Sequence, residues 1–297
     1  GRKIDPEKSL LIFDEVQECP NIISALKYFC QDFREIPVIA TGSMVRIKLQ
    51  RETKKRGSKE VDKFLFPVGK INQITIYPMT FDEFLLNSNE VLYNTIKKAY
   101  ENKTALDAKI HDLAMEQVYK YLLIGGMPEA VEKFLTTHNM GETRKVQQSI
   151  IESYESDMIK YPPAADKPRI RECFESIPKQ LARDYKKFTY TVIRPNAKGR
   201  DYAGSLQWIE DAGIIRRCYN TEITELPLEG VAIRDQFKVY MADTGLLICM
   251  LEEGTAWSIM QGDLGAYKGA IYENLMADIL GKMGRKLYYF HKDSGLE

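Results

Sequence analysis

The chain has 297 residues, with 42 Lys plus Arg against 42 Asp plus Glu, so its net charge is zero. That balance excludes a whole-chain basic field for nucleic acid, though not a local patch. Apolar residues make up 44% and charged residues 28%, ordinary for a soluble globular chain able to bury a core in two or three domains.

No apolar run approaches the ~18 residues of a membrane helix. Five cysteines, Cys19, Cys30, Cys173, Cys218 and Cys249, are irregularly spaced without a C-x-x-C, and three histidines are scattered. This spacing argues against zinc and fits a reducing cytosol, so a cytoplasmic location is expected. The first residues, Gly1-Arg2-Lys3-Ile4-Asp5, are polar, begin without Met and lack signal-peptide character. Asp293 to Glu297 carry no helix-ending signal, and both ends are expected to be cut.

In chain order, Ser9 to Phe13 is a continuous apolar run that predicts a strand buried on both faces, ending in Asp14-Glu15. Asn21 predicts a helix cap, with Ile22, Ile23, Leu26 and Phe29 on one face to about Cys30. Pro37 to Thr41 predicts a second buried strand, followed by Gly42-Ser43. Strand, helix, strand in this order is a βαβ unit with parallel strands. Lys48 to Lys63 is rich in charge and lacks apolar periodicity; it reads as a solvated loop or as a subunit- or nucleic-acid-contact loop.

Ile71 to Tyr77 alternates like a strand closed by Pro78, and Thr80-Phe81-Asp82-Glu83 has the form of a capping box. Helical patterns then run to about Lys160, interrupted at Gly125-Gly126 and Pro128, and Pro162-Pro163 marks a boundary. Beyond it, Arg169 to Tyr185 predicts a helix, Tyr190 to Ile193 an extended stretch, and Asp201 to Ala212 an amphipathic helix stopped by Gly213. Ile214 to Cys218 and Phe237 to Met241 read as two strands, Ala270 to Leu280 as a helix, and Lys286 to Phe290 as a strand. Helices followed by a β-hairpin are the plan of a winged helix. Its recognition helix would be Asp201 to Ala212, with Lys198, Arg200, Arg216 and Arg217 as candidate phosphate contacts. Asp201, Glu210 and Asp211 oppose DNA there, and a protein-contact role stands beside it.

Asp14 and Glu15 carry the chemistry. A nucleoside triphosphate site needs one carboxylate to position magnesium and a second to polarise the attacking water. Ligands of open parallel sheets bind beyond the carboxyl ends of the strands. Thr41 and Ser43, at the tip of the next strand, supply hydroxyls that can reach the same water or phosphate. Missing from all 297 residues is a G-x-x-x-x-G-K-[ST] loop to cradle the phosphates; Gly69-Lys70 precedes a strand and does not qualify. Without that loop the chain itself is expected to bind ATP weakly or not at all.

Several segments together resemble a known family: Leu11-Ile12-Phe13-Asp14-Glu15-Val16-Gln17-Glu18-Cys19-Pro20, Val38 to Ser43, Tyr77 to Leu85, Tyr121 to Ala130, and Gly269 to Leu275. This is the large prokaryotic family of AAA-type ATP-binding proteins with a C-terminal domain of unknown function, itself similar to restriction-endonuclease-like folds. The resemblance implies ATP and Mg²⁺ as ligands of the parent protein, with none bound by this fragment. It implies Asp14 as the magnesium-side acid, Glu15 as the catalytic base, and Thr41 or Ser43 at the sensor position. It further implies a homo-oligomer in which a neighbour's arginine stabilises the transition state, with Arg46 and Arg56 as candidate fingers. The family's Gly-Arg before the strand leading to Pro-x-x-Phe is Gly69-Lys70 here. Glu273 matches the helix acid of the nuclease-like fold, or is a solvated helix acid.

The expected fold class is α/β, the remnant of a P-loop parallel-sheet domain with later modules. A partial core lacking the phosphate loop spans 1–85, a helical lid and linker 86–163, a winged-helix-like domain 164–250, and the start of a nuclease-like α/β domain 251–297. The expected function is ATP binding and hydrolysis by the parent, with DNA or a protein client as partner. The alternative is a non-enzymatic winged-helix DNA- or protein-binding module.

Overall fold

A computed structural model describes residues 4–42, 69–183, 187–252, 254, 258–259 and 268–292. The chain divides into two compact units, Gly1–Ile76 and Tyr77–Glu297.

In the first unit, strand β1 (Leu11–Phe13) leads through a 3-10 turn (Val16–Glu18) into helix α1 (Pro20–Asp32) and then strand β2 (Val38–Ala40). The two strands pair in parallel, Leu11 opposite Val38, Ile12 opposite Ile39 and Phe13 opposite Ala40. The βαβ pattern therefore forms, because two short apolar runs separated by an amphipathic helix have few other ways to bury their faces. The Phe13 ring lies 5.8 Å from that of Phe29 on α1.

Burial of both strand faces was expected, and the described structure differs. Ile12 is 61% and Ile39 48% exposed, since successive residues of a strand point to opposite sides. The Ile71–Tyr77 run also departs from expectation. It is irregular, with Ile74 83% and Ile76 93% exposed. Alternation only fits a residue to a pleated surface, and no described strand offers this run an edge.

The second unit is mostly helical. Helix α2 (Phe81–Ser88) begins with the expected capping box: the Thr80 N–H donates to Glu83 Oε2 at 2.7 Å, and the Glu83 N–H to Thr80 Oγ1 at 3.4 Å. Helix α3 (Glu90–Glu101) is capped by Asn89, α4 (Ala108–Ile124) by Asp107, and α6 (Met140–Lys160) by Asn139, while α5 (Pro128–Thr137) opens with proline. Gly125 ends α4 at φ 73, where a side chain would be strained. Phe84, Tyr121, Leu122, Leu123, Ile124 and Val131 form a core with residues from the end of the chain, including Ile248, Ile271 and Leu275.

Helix α7 (Lys167–Leu181) packs on α8 (Gly199–Asp211), and between them Tyr190–Val192 forms a 3-10 turn where an extended stretch was expected. There the Tyr190 ring meets that of Phe188 edge-on at 5.2 Å. Strand β3 (Ile215–Thr221) follows, then a short helix α9 (Leu228–Val231) and strand β4 (Ala232–Met241), antiparallel to β3. After α10 (Thr244–Cys249) and α11 (Lys268–Lys282), strand β5 (Leu287–Phe290) pairs in parallel with β3, Cys218 opposite Leu287. The order is β4-β3-β5. The hairpin and the last segment, assigned to separate modules in the sequence, thus share one sheet, with α11 packed against all three strands.

Candidate functional site

The parallel register of β1 and β2 brings their carboxyl ends level. The Thr41 N–H donates to Phe13 O at 2.8 Å and the Val16 N–H to Thr41 O at 2.9 Å, so the two chains stay paired just past the strands. At this rim the Thr41 hydroxyl donates to Asp14 Oδ1, which also accepts from the Glu15 N–H at 3.0 Å. Asp14, Glu15 and Thr41 are all exposed.

Glu15 adopts φ 49, ψ 46, a left-handed conformation. For a non-glycine residue this costs on the order of 1–3 kcal/mol and persists only where neighbours impose it. The neighbours are identifiable. Val16 and Gln17 are buried immediately after it, and Gln17 Nε2 donates to Glu15 Oε2. The strained turn therefore holds the Glu15 carboxylate in water beside Asp14. Magnesium takes one or two carboxylates and fills its remaining positions with water and phosphate oxygens, and Asp14 is a donor of that kind. Among the described residues no group of three or more His, Cys, Asp or Glu is placed to hold a metal ion alone.

The other sequence candidates disperse. Ser43, Arg46 and Arg56 lie outside the described residues. Glu273, on α11, accepts from the Tyr240 hydroxyl at 2.8 Å and pairs with Lys238 Nζ at 3.4 Å. Among the described residues its neighbours include a phenol and a cation. Burial and the Glu273 charge push the Tyr240 hydroxyl far up, and burial pushes the nearby Cys218 thiol up to about 12. Lys198 and Arg200 are exposed at the start of α8. Arg216 and Arg217 are consecutive on β3 and so point to opposite faces. Arg217 binds Glu210 through Nε at 2.7 Å and lies over the Phe237 ring. Arg216 lies 5.1 Å over the Tyr77 ring. The four cations do not form one surface.

One cluster escaped sequence reasoning. Lys282 Nζ donates to Asp278 Oδ2 at 2.8 Å, to the Tyr121 hydroxyl at 2.9 Å and to Met79 O at 3.0 Å. Three acceptors satisfy all three ammonium donors. Both side chains of the Lys282–Asp278 pair are only 1% exposed. The Tyr121 hydroxyl donates to Met79 O at 2.7 Å, and the Met79 N–H to Gly126 O at 2.6 Å. Asp243 closes the cluster, accepting from the Gly126 N–H at 2.7 Å and capping α10 through the Leu246 N–H at 3.0 Å. Burial raises the Asp243 carboxyl above its usual range and, with the Asp243 charge, pushes Asp278 up to about 7 against the pull of Lys282. In the sequence Asp278 and Lys282 are only an i, i+4 pair, the signature of a solvated helix face.

The geometry can be set beside known proteins. Residues 2–85 match the family model of an AAA domain, and residues 115–256 that of a domain of unknown function, DUF8612. No curated protein matches. Among solved structures, the Walker-type ATPase of Pyrococcus abyssi is 15% identical with a TM-score of 0.46, the match covering 81% of this chain and 62% of that one. This chain therefore spans less than two thirds of that protein's length. The acid-tipped strand pair lies inside the segment, residues 2–85, that is similar to the AAA domain.

Proposed function

We propose that the first unit carries the metal- and water-handling half of an ATP-hydrolysing site of the AAA type. The observation that supports this is the bond from the Thr41 hydroxyl to Asp14 at the tips of neighbouring parallel strands, with Glu15 exposed beside it. Magnesium, when bound, neutralises charge on the phosphate oxygens and orients them. Asp14 would hold it through a carboxylate oxygen. Glu15 would accept a proton from the attacking water at its exposed carboxylate, which Gln17 orients, and Thr41 would fix the Asp14 carboxylate.

The residues present fit the metal but not the triphosphate. No G-x-x-x-x-G-K-[ST] loop, the sequence form of the nest that clamps the β- and γ-phosphates, occurs in the 297 residues. The reading is therefore of a site that turns over only where such a loop is supplied. Titration of this chain with Mg-ATP is expected to give no saturable binding at micromolar nucleotide, and micromolar affinity would overturn that part. In a form of the protein that carries the loop, Glu15→Gln is expected to lower kcat by about 10²-fold or more with nucleotide affinity kept. Unchanged hydrolysis in that variant removes the role given to Glu15.

A further inference from the structure

Among the buried side-chain atoms of the second unit without a hydrogen bond are two of opposite character: Asp278 Oδ1, an acceptor, and Arg216 Nε, a donor. They belong to neighbouring groups. Arg216 reaches from β3 across α11 at Gly281, where a Cβ would stand 2.3 Å from its Nε. Gly281 is three positions after Asp278, on the next turn of the same helix, and the Arg216 charge is felt at Asp278. The guanidinium meanwhile lies over the Tyr77 ring. A cation can be held by an aromatic face or by a carboxylate, and the carboxylate is the stronger partner only when ionised.

We infer that Arg216 moves between two partners, the Tyr77 ring and the Asp278 carboxylate, and that the proton on Asp278 selects between them. With Asp278 neutral, Oδ1 has little need of a donor and the guanidinium stays on Tyr77. When the proton leaves to solvent, Oδ1 becomes half of a buried anion lacking a donor on that side. Leaving such an atom unmet costs more than the stacking contact. Arg216 Nε then turns to Oδ1 and the ring is released. Gly281 provides the room for either position, because any side chain there would occupy the guanidinium's path.

The other charged and titratable groups around Asp278 favour this poise. Lys282, one turn along α11, binds the opposite oxygen, Oδ2, and pulls towards ionisation, while Asp243 before α10 opposes it. Tyr121 on α4 is held neutral by burial and by the acids around it, including Asp82 and Glu83 of α2, and Tyr154 on α6 is raised to about 12. Asp278, pushed up to about 7, is a group of the cluster whose charge changes near neutrality, and the buried Asp243 carboxyl beside it is raised as well. What it controls is the grip on Tyr77, the first residue of the second unit, two positions before the pinned Met79.

The test is a side-chain NMR titration of the whole chain from about pH 5 to about pH 9, bracketing neutrality. The Arg216 Nε–H signal is assigned by its loss in Arg216→Lys, and the Asp278 carboxyl carbon by its loss in Asp278→Asn. The expected result is a downfield move of the Nε–H signal with the same midpoint as the Asp278 carbon. An Nε–H shift that stays constant while Asp278 titrates overturns the proposal, as does an Asp278 carbon that does not titrate in this range. In folded Asp278→Asn the Nε–H signal should be independent of pH. Should that variant not fold, the wild-type pair of titrations decides alone, since a purely structural Arg216 would not follow the proton on Asp278.

Discussion

Lys282 Nζ lies 3.0 Å from the carbonyl oxygen of Met79, joining residues 203 positions apart through a partly buried contact. The ammonium thereby ties the last long helix of the second unit to the segment with which that unit begins. Its cost in the low-dielectric interior is offset only because Asp278, Tyr121 and Met79 fill all three donors.

Removing that cation is expected to leave Asp278 buried without its partner. Lys282→Met should destabilise the second unit by about 3–5 kcal/mol, the range for breaking one side of a buried ion pair. Urea unfolding followed by circular dichroism measures this. A loss below about 1 kcal/mol would mean that hydrophobic packing of the methionine replaces the network.

Gly126 is expected to tolerate no side chain. A Cβ there would stand 2.0 Å from Met79 O, a backbone atom that cannot swing aside. Gly126→Ala should therefore cost about 1–3 kcal/mol or more and lower the thermal midpoint of the second unit. By contrast Gly204→Ala, on the open face of α8 with nothing within 4 Å, should be neutral or stabilise by up to about 1 kcal/mol. Equal effects of the two substitutions would contradict the geometry.

The Asp278 carboxyl gives stability a definite slope with pH. Its ordinary value is 3.8 and burial pushes it up to about 7 in the folded chain, so the folded state binds this proton more tightly than the unfolded state. The stability it contributes is complete below the lower value and is lost as pH rises through the higher one. Unfolding midpoints in urea are expected to fall between about pH 4 and about pH 7 by more in the wild type than in Asp278→Asn. Parallel pH profiles of the two proteins would show that Asp278 is not the group responsible.

At Glu15 stability and chemistry are expected to oppose each other. Glu15→Gly removes the left-handed strain at φ 49 and should stabilise the first unit by about 1 kcal/mol. It also removes the carboxylate and should abolish hydrolysis in a form of the protein carrying a phosphate-binding loop. Thermal unfolding and phosphate release, measured side by side, check both halves; a destabilised variant would mean that the Gln17 contact outweighs the strain.

The sequence by itself determined what depends on near neighbours. The two apolar runs around α1 pointed to a parallel strand pair, because parallel neighbours need a crossover of a dozen or more residues and a helix is its usual form. From that pair followed the meeting of Asp14 and Thr41, which are the next residues in the same register after Phe13 and Ala40. Thr80 and Glu83 announced their helix because a capping box closes within one turn. What only the tertiary structure decided were matters of distant partners. Ile71 to Tyr77 alternates as a strand should, yet a ladder needs a second edge that local pattern cannot supply. Arg216 and Arg217 looked alike beside the recognition-like helix, and pleating sent one to α11 and the other to Glu210. Asp278 and Lys282 stand only four positions apart in the sequence, and Met79, Tyr121 and Asp243 close over them from elements far apart in the chain. Burial is a property of the assembled fold, and it turns an ordinary helix-face pair into an ionic cluster whose charge responds to pH.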